Sequence, residues 1–253
     1  PVGMVNVLAS GDDTQRRLIV EGIEKRCRKL QVPMIGGHLH ADSPVECPAL
    51  RVTIIGHAKK LLRSHLAATG DRLVLAVDLD GRAGCRSVVS WDANSGKSPE
   101  ALRCRLEALP LVAESGAAFA AKDVSNAGIL GTAAIMLENS GKGADIDLDA
   151  IPHPDSLTLE QWLLCFQSFG FILSVPPENI DRVFSIFSER GITAAAIGGV
   201  REGNVVDIHK NGISATLFDF SQDVITGISC SRETPYSNSF RSKMWTCTKI
   251  WIL

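Results

Sequence analysis

The chain has 253 residues, a net charge of −2 and a pI near 6.3. Its apolar content of 45% is typical of a globular protein and excludes a disordered one. The balanced charge, without a basic stripe, argues against nucleic acid as a partner. The longest apolar stretches fall short of the ~18–20 residues that a membrane-spanning helix needs, so no membrane partner is expected either.

The seven cysteines are widely and irregularly spaced, without a C-x-x-C pair. This spacing excludes the usual zinc and disulfide frameworks, and an odd number of cysteines fits reduced thiols. Because no basic-then-apolar leader is visible, a cytoplasmic location is expected. The sequence begins at Pro1 without a methionine, and we therefore expect a truncated chain.

The predicted elements alternate between strands and helices along the chain. In the first part, strand, helix, strand, strand and helix are predicted over residues 2–8, 18–30, 32–35, 50–55 and 59–68. Residues 72–77 are a strongly apolar, buried strand, and residues 78–84 and 91–98 are loop-like. Helices follow over 99–109, 129–138, 159–166 and 179–190, and strands over 144–148, 171–175, 193–200 and 205–208. Mixed helices and strands exclude an all-helical fold.

The segment with the most compact chemistry runs from Ala121 to Thr132 and reads A-K-D-V-S-N-A-G-I-L-G-T. A short apolar approach leads to Asp123, then to small polar residues and a glycine-spaced helix start. The N–H groups and dipole of a helix N-terminus can hold phosphate, and a carboxylate beside them can hold the Mg²⁺ that accompanies phosphate. An Asp that caps the helix by bonding the N–H groups of its own turn is the alternative.

Gly36, Gly37 and His38 follow a predicted strand. Two glycines let the backbone approach a ligand closely, and a tight turn with positive φ is the alternative interpretation. His38 and His40 would share one face of a strand, but a metal pair is not expected because no third ligand is nearby in the sequence.

Further carboxylates cluster at two places. Asp78 and Asp80 follow the strand over 72–77, where open α/β sheets often carry ligands. Alternating carboxylates over residues 145–149 predict a solvated strand face. The chain has no P-loop or G-x-G-x-x-G loop, and no Ser or Cys has a recognisable nucleophile setting, which disfavours P-loop, Rossmann and hydrolase functions.

Six segments in order resemble the superfamily of aminoimidazole ribonucleotide (AIR) synthetase, and in particular its AIR-synthase-related members. The superfamily also contains selenophosphate synthetase and thiamine-monophosphate kinase. Gly36-Gly37-His38, followed by Ser43-Pro44, resembles the GGHT-type loop. The other segments resemble, in order, the G-D-x-L strand, the D-[IV]-[ST]-x-x-G motif, the S-G-x-G-A-x-I-D-L…I-P segment, the late V-P-P strand and the closing G-I-x-A-x-x-I-G pattern, over residues 70–74, 122–128, 140–152, 169–177 and 191–198.

The resemblance implies a two-domain α+β fold. Residues 1–66 would form a partial N-terminal domain that binds ATP and dimerises through its sheet, residues 67–228 a C-terminal α+β sandwich domain, and residues 229–253 an unassigned tail. Within that tail, residues 245–253 could form a strand or be sequence foreign to the ancestral fold.

The resemblance also implies an activity. The expected enzyme is an ATP- and Mg²⁺-dependent phosphotransferase or ligase that activates a carbonyl, amide or similar oxygen of a small-molecule acceptor, and forms a homodimer. Carried over to this sequence, Asp123 would be a metal ligand. Gly36, Gly37 and His38 would line the nucleotide, and Ser125 and Asn126 would lie at its phosphate end.

The sequence departs from the family pattern at two points. Leu39 stands where a hydroxyl residue is usual, and the first metal carboxylates of the family would lie upstream of a strand like residues 2–8. These departures leave a truncated, non-catalytic dimerisation or scaffold module as the alternative function, with selenophosphate synthetase as a weaker one.

Overall fold

The computed structural model describes residues 1–84 and 89–228 and the backbone of residues 248 and 249. Contacts divide the chain into two units: residues 1–59, 98–100 and 235–253 form one, and residues 60–97 and 101–234 the other, as far as the structure describes them. Of the predicted tail over 229–253, only the short strand Thr248–Lys249 lies within the described residues. The domain boundaries at residues 66 and 228 stay a prediction.

The first unit is a four-stranded sheet with one helix. Its elements in chain order are β1 (Gly3–Ala9), α1 (Asp13–Leu30), β2 (Met34–His40), β3 (Ala49–Ile55) and β14 (Thr248–Lys249), and the strand order is β14-β3-β1-β2. Asp12 caps α1 by accepting a hydrogen bond from the Gln15 N–H at 2.6 Å. α1 joins β1 to β2, which is the kind of crossover connection that a parallel strand pair requires.

The two faces of this sheet differ in burial. Met4 and Leu8 of β1 are buried, whereas Val7, on the opposite face of the same strand, is exposed. Ile35 of β2 shares the face of Val7, because its side chain contacts the position where a Cβ on Gly3 would lie. The sheet therefore has one covered face and one open face, on which Val7 and Ile35 lie beside polar residues such as Arg51, the cross-strand partner of Val7.

The second unit is built on a seven-stranded sheet of order β13-β12-β8-β11-β4-β10-β7. Its strands are β4 (Arg72–Val77), β7 (Ala120–Asp123), β8 (Gly143–Asp147), β10 (Gly170–Val175), β11 (Thr193–Arg201), β12 (Val205–Lys210) and β13 (Ile213–Asp219). A separate three-stranded sheet consists of β5 (Arg82–Ala83), β6 (Ser90–Asp92) and β9 (Phe166–Gln167), whose residues alternate along the chain with strands of the large sheet. The helices are α2 (Pro99–Leu106), α3 (Ala108–Ser115), α4 (Gly128–Ser140), α5 (Leu159–Leu163) and α6 (Ile180–Ser188).

Alternation along β4 explains the layers around this sheet. Leu73, Leu75 and Val77 belong to the main core, which also contains Ile129 and Met136 of α4. Residues 74 and 76 are equally buried on the opposite face, the side on which α6 contacts β11 and α3 contacts α6. A sheet covered by helices on both faces is the α+β architecture expected from the sequence.

Two local predictions are wrong. Residues 59–68 form no helix; instead, the N–H groups of Arg63 and Ala67 donate to the Phe119 carbonyl and the Ser140 hydroxyl. Tertiary hydrogen bonds thus replace the helical ones that local propensity favoured. Gly36 and Gly37 lie inside β2 without positive φ, so the tight-turn interpretation fails.

Other differences concern element ends. The predicted helix over 159–166 ends at Leu163, and β9 begins at Phe166. The predicted helix over 99–109 is two helices, α2 and α3, and β13 was absent from the predicted set. Short strands β5 and β6 occupy part of the predicted loops.

Candidate functional site

Asp123 is the last residue of β7, which forms one edge of the seven-stranded sheet. Asp123 stands opposite Phe171 of β10, and the Val124 N–H donates to the Gly170 carbonyl at 2.9 Å. The side chain of Asp123 is 44% exposed, and its Oδ1 lies 3.8 Å from Nζ of Lys122. Strand pairing therefore fixes the backbone while the carboxylate stays accessible.

The residues after Asp123 form an exposed turn. Ser125 and Asn126 are exposed, and the Gly128 N–H donates to the Ser125 carbonyl at 2.8 Å. α4 then begins at Gly128 and enters the core. Two polar side chains and a carboxylate thus meet solvent between an edge strand and a buried helix.

The start of α4 excludes the capping alternative for Asp123. The residue at the cap position is Ala127, and no side chain caps the helix. Gly128 has φ +66°, and a Cβ there would lie 2.1 Å from the Leu163 carbonyl oxygen. Glycine is required at this position both by its left-handed backbone and by the close approach of Leu163.

Gly36, Gly37 and His38 lie on β2, at the edge of the other sheet, and all three are exposed. A Cβ on Gly37 would lie 1.8 Å from Oδ1 of Asn6, so glycine here makes room for a neighbouring side chain. The His38 and His40 rings pack edge to face with centroids 4.6 Å apart. These residues belong to the first unit, whereas Asp123 belongs to the second.

Asp78, a candidate by its place after β4, is instead the centre of a buried ion cluster. It is fully buried, and its Oδ2 lies 2.7 Å from Nε of Arg105 and 3.4 Å from Nζ of Lys97. The exposed Asp80 pairs with the same lysine at 3.0 Å. The Lys97 hydrogen bond and charge hold the pKa of Asp80 below its ordinary value. Lys97 and Arg105 therefore pair with carboxylates of the loop after β4, and these ion pairs hold that loop in place.

Asp71, at the start of the G-D-x-L segment, accepts a 2.6 Å hydrogen bond from the Ser174 hydroxyl. Burial raises the pKa of Asp71, aided by the charge of Glu178, and the hydrogen bonds from Ser174 and Ala68 offset only part of that rise. This carboxylate ties β4 to β10.

The predicted solvated face over residues 145–149 is part of a polar network. Asp145 is half-exposed and lies 3.3 Å from Nε of Arg201 and 3.4 Å from Nε2 of His209. The Nδ1 atom of His209 is 2.7 Å from the Ser214 hydroxyl. Only two of the three alternating carboxylates lie in β8, because Asp149 belongs to a short 3₁₀ turn.

Glu138 is a buried carboxylate that sequence reasoning missed. It lies near the end of α4 and accepts hydrogen bonds from the N–H groups of Ile225, Thr226 and Gly227 at 2.9, 2.8 and 3.4 Å. Burial acts to raise the pKa of Glu138, but these hydrogen bonds and that of the Thr226 hydroxyl outweigh it, and the pKa is lowered. The sequence around Glu138 is an apolar helix and does not indicate that this carboxylate binds backbone N–H groups, because those groups are 87 to 89 residues away.

The described residues also bear on metal-binding groups, thiols and membrane-spanning helices. Within residues 1–84 and 89–228, no group of three or more His, Cys, Asp or Glu side chains is placed to hold a metal ion by itself. The cysteines at 27, 47, 104 and 165 are free thiols, and burial raises the pKa of Cys165 to about 11. No helix in the described part of the chain is long and apolar enough to cross a bilayer, and the cytoplasmic location stays a prediction.

Comparison with known proteins decides the family. The C-terminal domain of AIR synthase related proteins matches residues 68–211, and the N-terminal domain of the same family matches residues 1–58. The chain belongs to the AIR synthase related family. This result confirms the resemblance seen in the motif order.

Two proteins that are themselves uncharacterized are similar over most of the chain. One, from Synechocystis sp., is 37% identical over 227 residues, which are 90% of this chain and 70% of that protein. The other, from Methanocaldococcus jannaschii, is 35% identical over 228 residues, which are 89% of this chain and 70% of that protein. The phosphoribosylformylglycinamidine synthase subunit PurL of Methanopyrus kandleri is 26% identical over 240 residues, 87% of this chain but 33% of PurL.

Solved structures of two proteins share the fold. Thermotoga maritima PurL complexed with ATP superposes with a TM-score of 0.68 and 20% identity, over 85% of this chain and 36% of PurL. The hydrogenase maturation protein HypE superposes with a TM-score of 0.63 and 15% identity, over 90% of this chain and 79% of HypE. The AIR synthase related chain thus spans about a third of the PurL proteins that it matches.

Proposed function

We propose that this AIR synthase related protein binds ATP and transfers its terminal phosphoryl group to an oxygen of a small-molecule acceptor. The observation that carries the proposal is the match to both domains of the family, together with PurL structures of the same fold that are complexed with ATP, AMPPCP and ADP. Chemistry on the γ-phosphoryl group needs positioning and charge neutralisation more than covalent help from the protein.

Asp123 is proposed to hold the Mg²⁺ that accompanies the nucleotide. Its accessible carboxylate, with the exposed oxygen-bearing side chains of Ser125 and Asn126 on the following turn, offers the hard oxygen donors that Mg²⁺ prefers. When bound, the ion would neutralise phosphate charge. One carboxylate fits an ion that keeps several water and phosphate ligands, as Mg²⁺ commonly does.

Ser125 and Asn126 are proposed to contact the phosphate end of the nucleotide. Both precede the N-terminus of α4, where N–H groups and the helix dipole favour an anion. Gly36, Gly37 and His38 are proposed to line the nucleotide from the exposed edge strand β2.

Homodimerisation through the sheet of the first unit is proposed from its open face. Val7 and Ile35 are exposed apolar side chains on that face, and burying them against a second copy would remove apolar surface from water. A non-catalytic dimerisation module is the alternative function, favoured by Leu39, which offers the nucleotide no hydroxyl contact.

The test compares nucleotide binding by two matched variants. ATP with Mg²⁺ should raise the unfolding temperature of the protein, because a ligand that binds only the folded state stabilises it. Asp123→Asn should weaken ATP–Mg²⁺ affinity by tenfold or more, whereas Asp155→Asn, an exposed carboxylate in a turn, should leave it unchanged.

The outcome separates the two functions. ATP turnover that disappears in Asp123→Asn would contradict the non-catalytic alternative. Absence of any ATP-dependent stabilisation at millimolar nucleotide would instead contradict the proposed enzyme.

A further inference from the structure

Lys142 carries an almost completely buried ammonium group. It follows Gly141, which ends α4, and its side chain is only 5% exposed. A buried ammonium is unfavourable unless a negative partner and hydrogen-bond acceptors compensate for lost hydration. In the S-G-x-G motif this residue occupies the unspecified position, so the family pattern gives it no role.

The partner of Lys142 is a carboxylate on an exposed turn. Nζ of Lys142 lies 2.5 Å from Oε1 of Glu202, and the Thr69 hydroxyl donates to the same oxygen at 2.6 Å. Glu202 lies in the turn between β11 and β12, directly before Gly203 with φ +101°, and its side chain is 71% exposed. A fixed, buried cation is therefore paired with a carboxylate at the end of an exposed side chain.

These groups line a cavity of about 300 Å³ within the second unit. Its polar lining also includes His65 and Ser140, and its apolar lining comes from Leu66 and Ala67. The volume is at the lower end of the ~300–1,000 Å³ range of small-molecule sites. A buried cation, a hydroxyl donor and a small mixed cavity form a recognition site for one carboxylate.

We propose that this cavity binds a small molecule through a carboxylate group that takes the place of Glu202 on Lys142 and Thr69. Glu202 shows directly that a carboxylate fits both donors. The cavity adjoins the C-terminal end of α4, and Asp123 precedes its N-terminal end; 13 helical residues span about 20 Å. The carboxylate site is therefore separate from the proposed phosphate site and does not depend on it.

Glu202→Gln tests the proposal because it removes the internal competitor while preserving side-chain size. Acetate, titrated against chloride at equal ionic strength, should bind Glu202→Gln about tenfold more tightly than the wild type, since a neutral amide competes less well than a carboxylate for the Lys142 ammonium. The measurement is the acetate-dependent rise in unfolding temperature, supported by calorimetric titration.

Three further variants test the two hydrogen-bond donors and provide a control. Lys142→Met in the Glu202→Gln background should abolish acetate binding, and Thr69→Val, which retains the buried lysine, should weaken it. Glu189→Gln is the matched control, because Glu189 is 70% exposed and also pairs with a cation, Arg190 at 3.5 Å. It should bind acetate like the wild type.

Any of three results would overturn the inference. One is that Glu202→Gln responds to acetate no more than to chloride. Another is that the Lys142→Met, Glu202→Gln double variant binds acetate as tightly as Glu202→Gln alone. The third is binding of inorganic phosphate but not acetate by Glu202→Gln, which would overturn the carboxylate assignment.

Discussion

At the scale of single residues, two glycines with left-handed backbone differ in their surroundings. Backbone conformation alone requires glycine at one of them, whereas steric contact also requires it at the other. Gly128 has φ +66° and lies against the Leu163 carbonyl, whereas Gly141 has φ +62° and open space where a Cβ would lie. Both begin or end the same helix, α4. Gly128 lies where the exposed turn after Asp123 leads into the buried helix α4, whereas Gly141 lies at the other end of that helix.

Gly128→Ala should therefore cost more stability than Gly141→Ala. Alanine at position 141 meets only the left-handed strain of about 1–2 kcal/mol, while at 128 it also forces apart the backbone of Leu163 and α4. We expect a difference of at least about 2 kcal/mol in the free energy of unfolding, measured by urea denaturation. Equal losses would mean that the Leu163 carbonyl moves away without cost.

The cluster around Asp78 makes a second prediction at this scale. Asp78→Asn would leave Arg105 and Lys97 without their shared buried carboxylate, and breaking such a pair costs about 3–5 kcal/mol. Asp80→Asn, at an exposed position, should cost much less, because solvent screens its pairing with Lys97. Thermal unfolding of both variants checks this order, and a larger loss for Asp80→Asn would contradict it.

At the scale of elements, polar groups with different roles lie at the two ends of α4. Its start follows the exposed Ser125 and Asn126, and its end holds Glu138, which receives the segment over residues 225–227. Hydrogen bonds from three N–H groups make the ionised carboxylate the favoured form in the folded protein.

The stability contributed by Glu138 should depend on pH with a definite sign. Because its folded pKa is lowered from the ordinary 4.5, the contribution is fully present above about 4.5 and is lost as pH falls through the folded pKa. Glu138→Gln should reduce the loss of unfolding free energy as the pH falls below 4.5 and speed amide hydrogen exchange at residues 225–227. An unchanged acid slope would contradict the assignment of this carboxylate.

At the scale of the whole molecule, the open face of the four-stranded sheet gives the clearest prediction about assembly. Ile35 on that face is 60% exposed, and Leu18 on α1 is 64% exposed. The two side chains have similar exposure, but Ile35 lies on the open sheet face and Leu18 lies on the helix. Leu18 is therefore a matched control for Ile35.

Ile35→Glu should convert the proposed homodimer to a monomer, because a charge would be buried in an apolar interface. Leu18→Glu should leave the mass unchanged. Sedimentation velocity measures both, and a monomeric wild type, or dissociation by both variants alike, would contradict dimerisation through this face.

The sequence by itself determined the family and most of the regular elements. The order of six motifs predicted the AIR synthase related fold, and the apolar run over residues 72–77 predicted the central buried strand β4. Asp12, directly before α1, is a typical N-cap residue. These features are local or linear, so hydrophobic spacing and residue type are enough to identify them.

Only the tertiary structure decided the partners of the polar groups. Residues 59–68 have helical composition, yet the N–H groups of Arg63 and Ala67 bond distant acceptors. Asp78 finds Arg105, and Glu138 finds residues 225–227, across separations of 27 and 87 or more residues. Which buried charge is neutralised, and by what, depends on long-range packing, and no local pattern in the sequence carries that information.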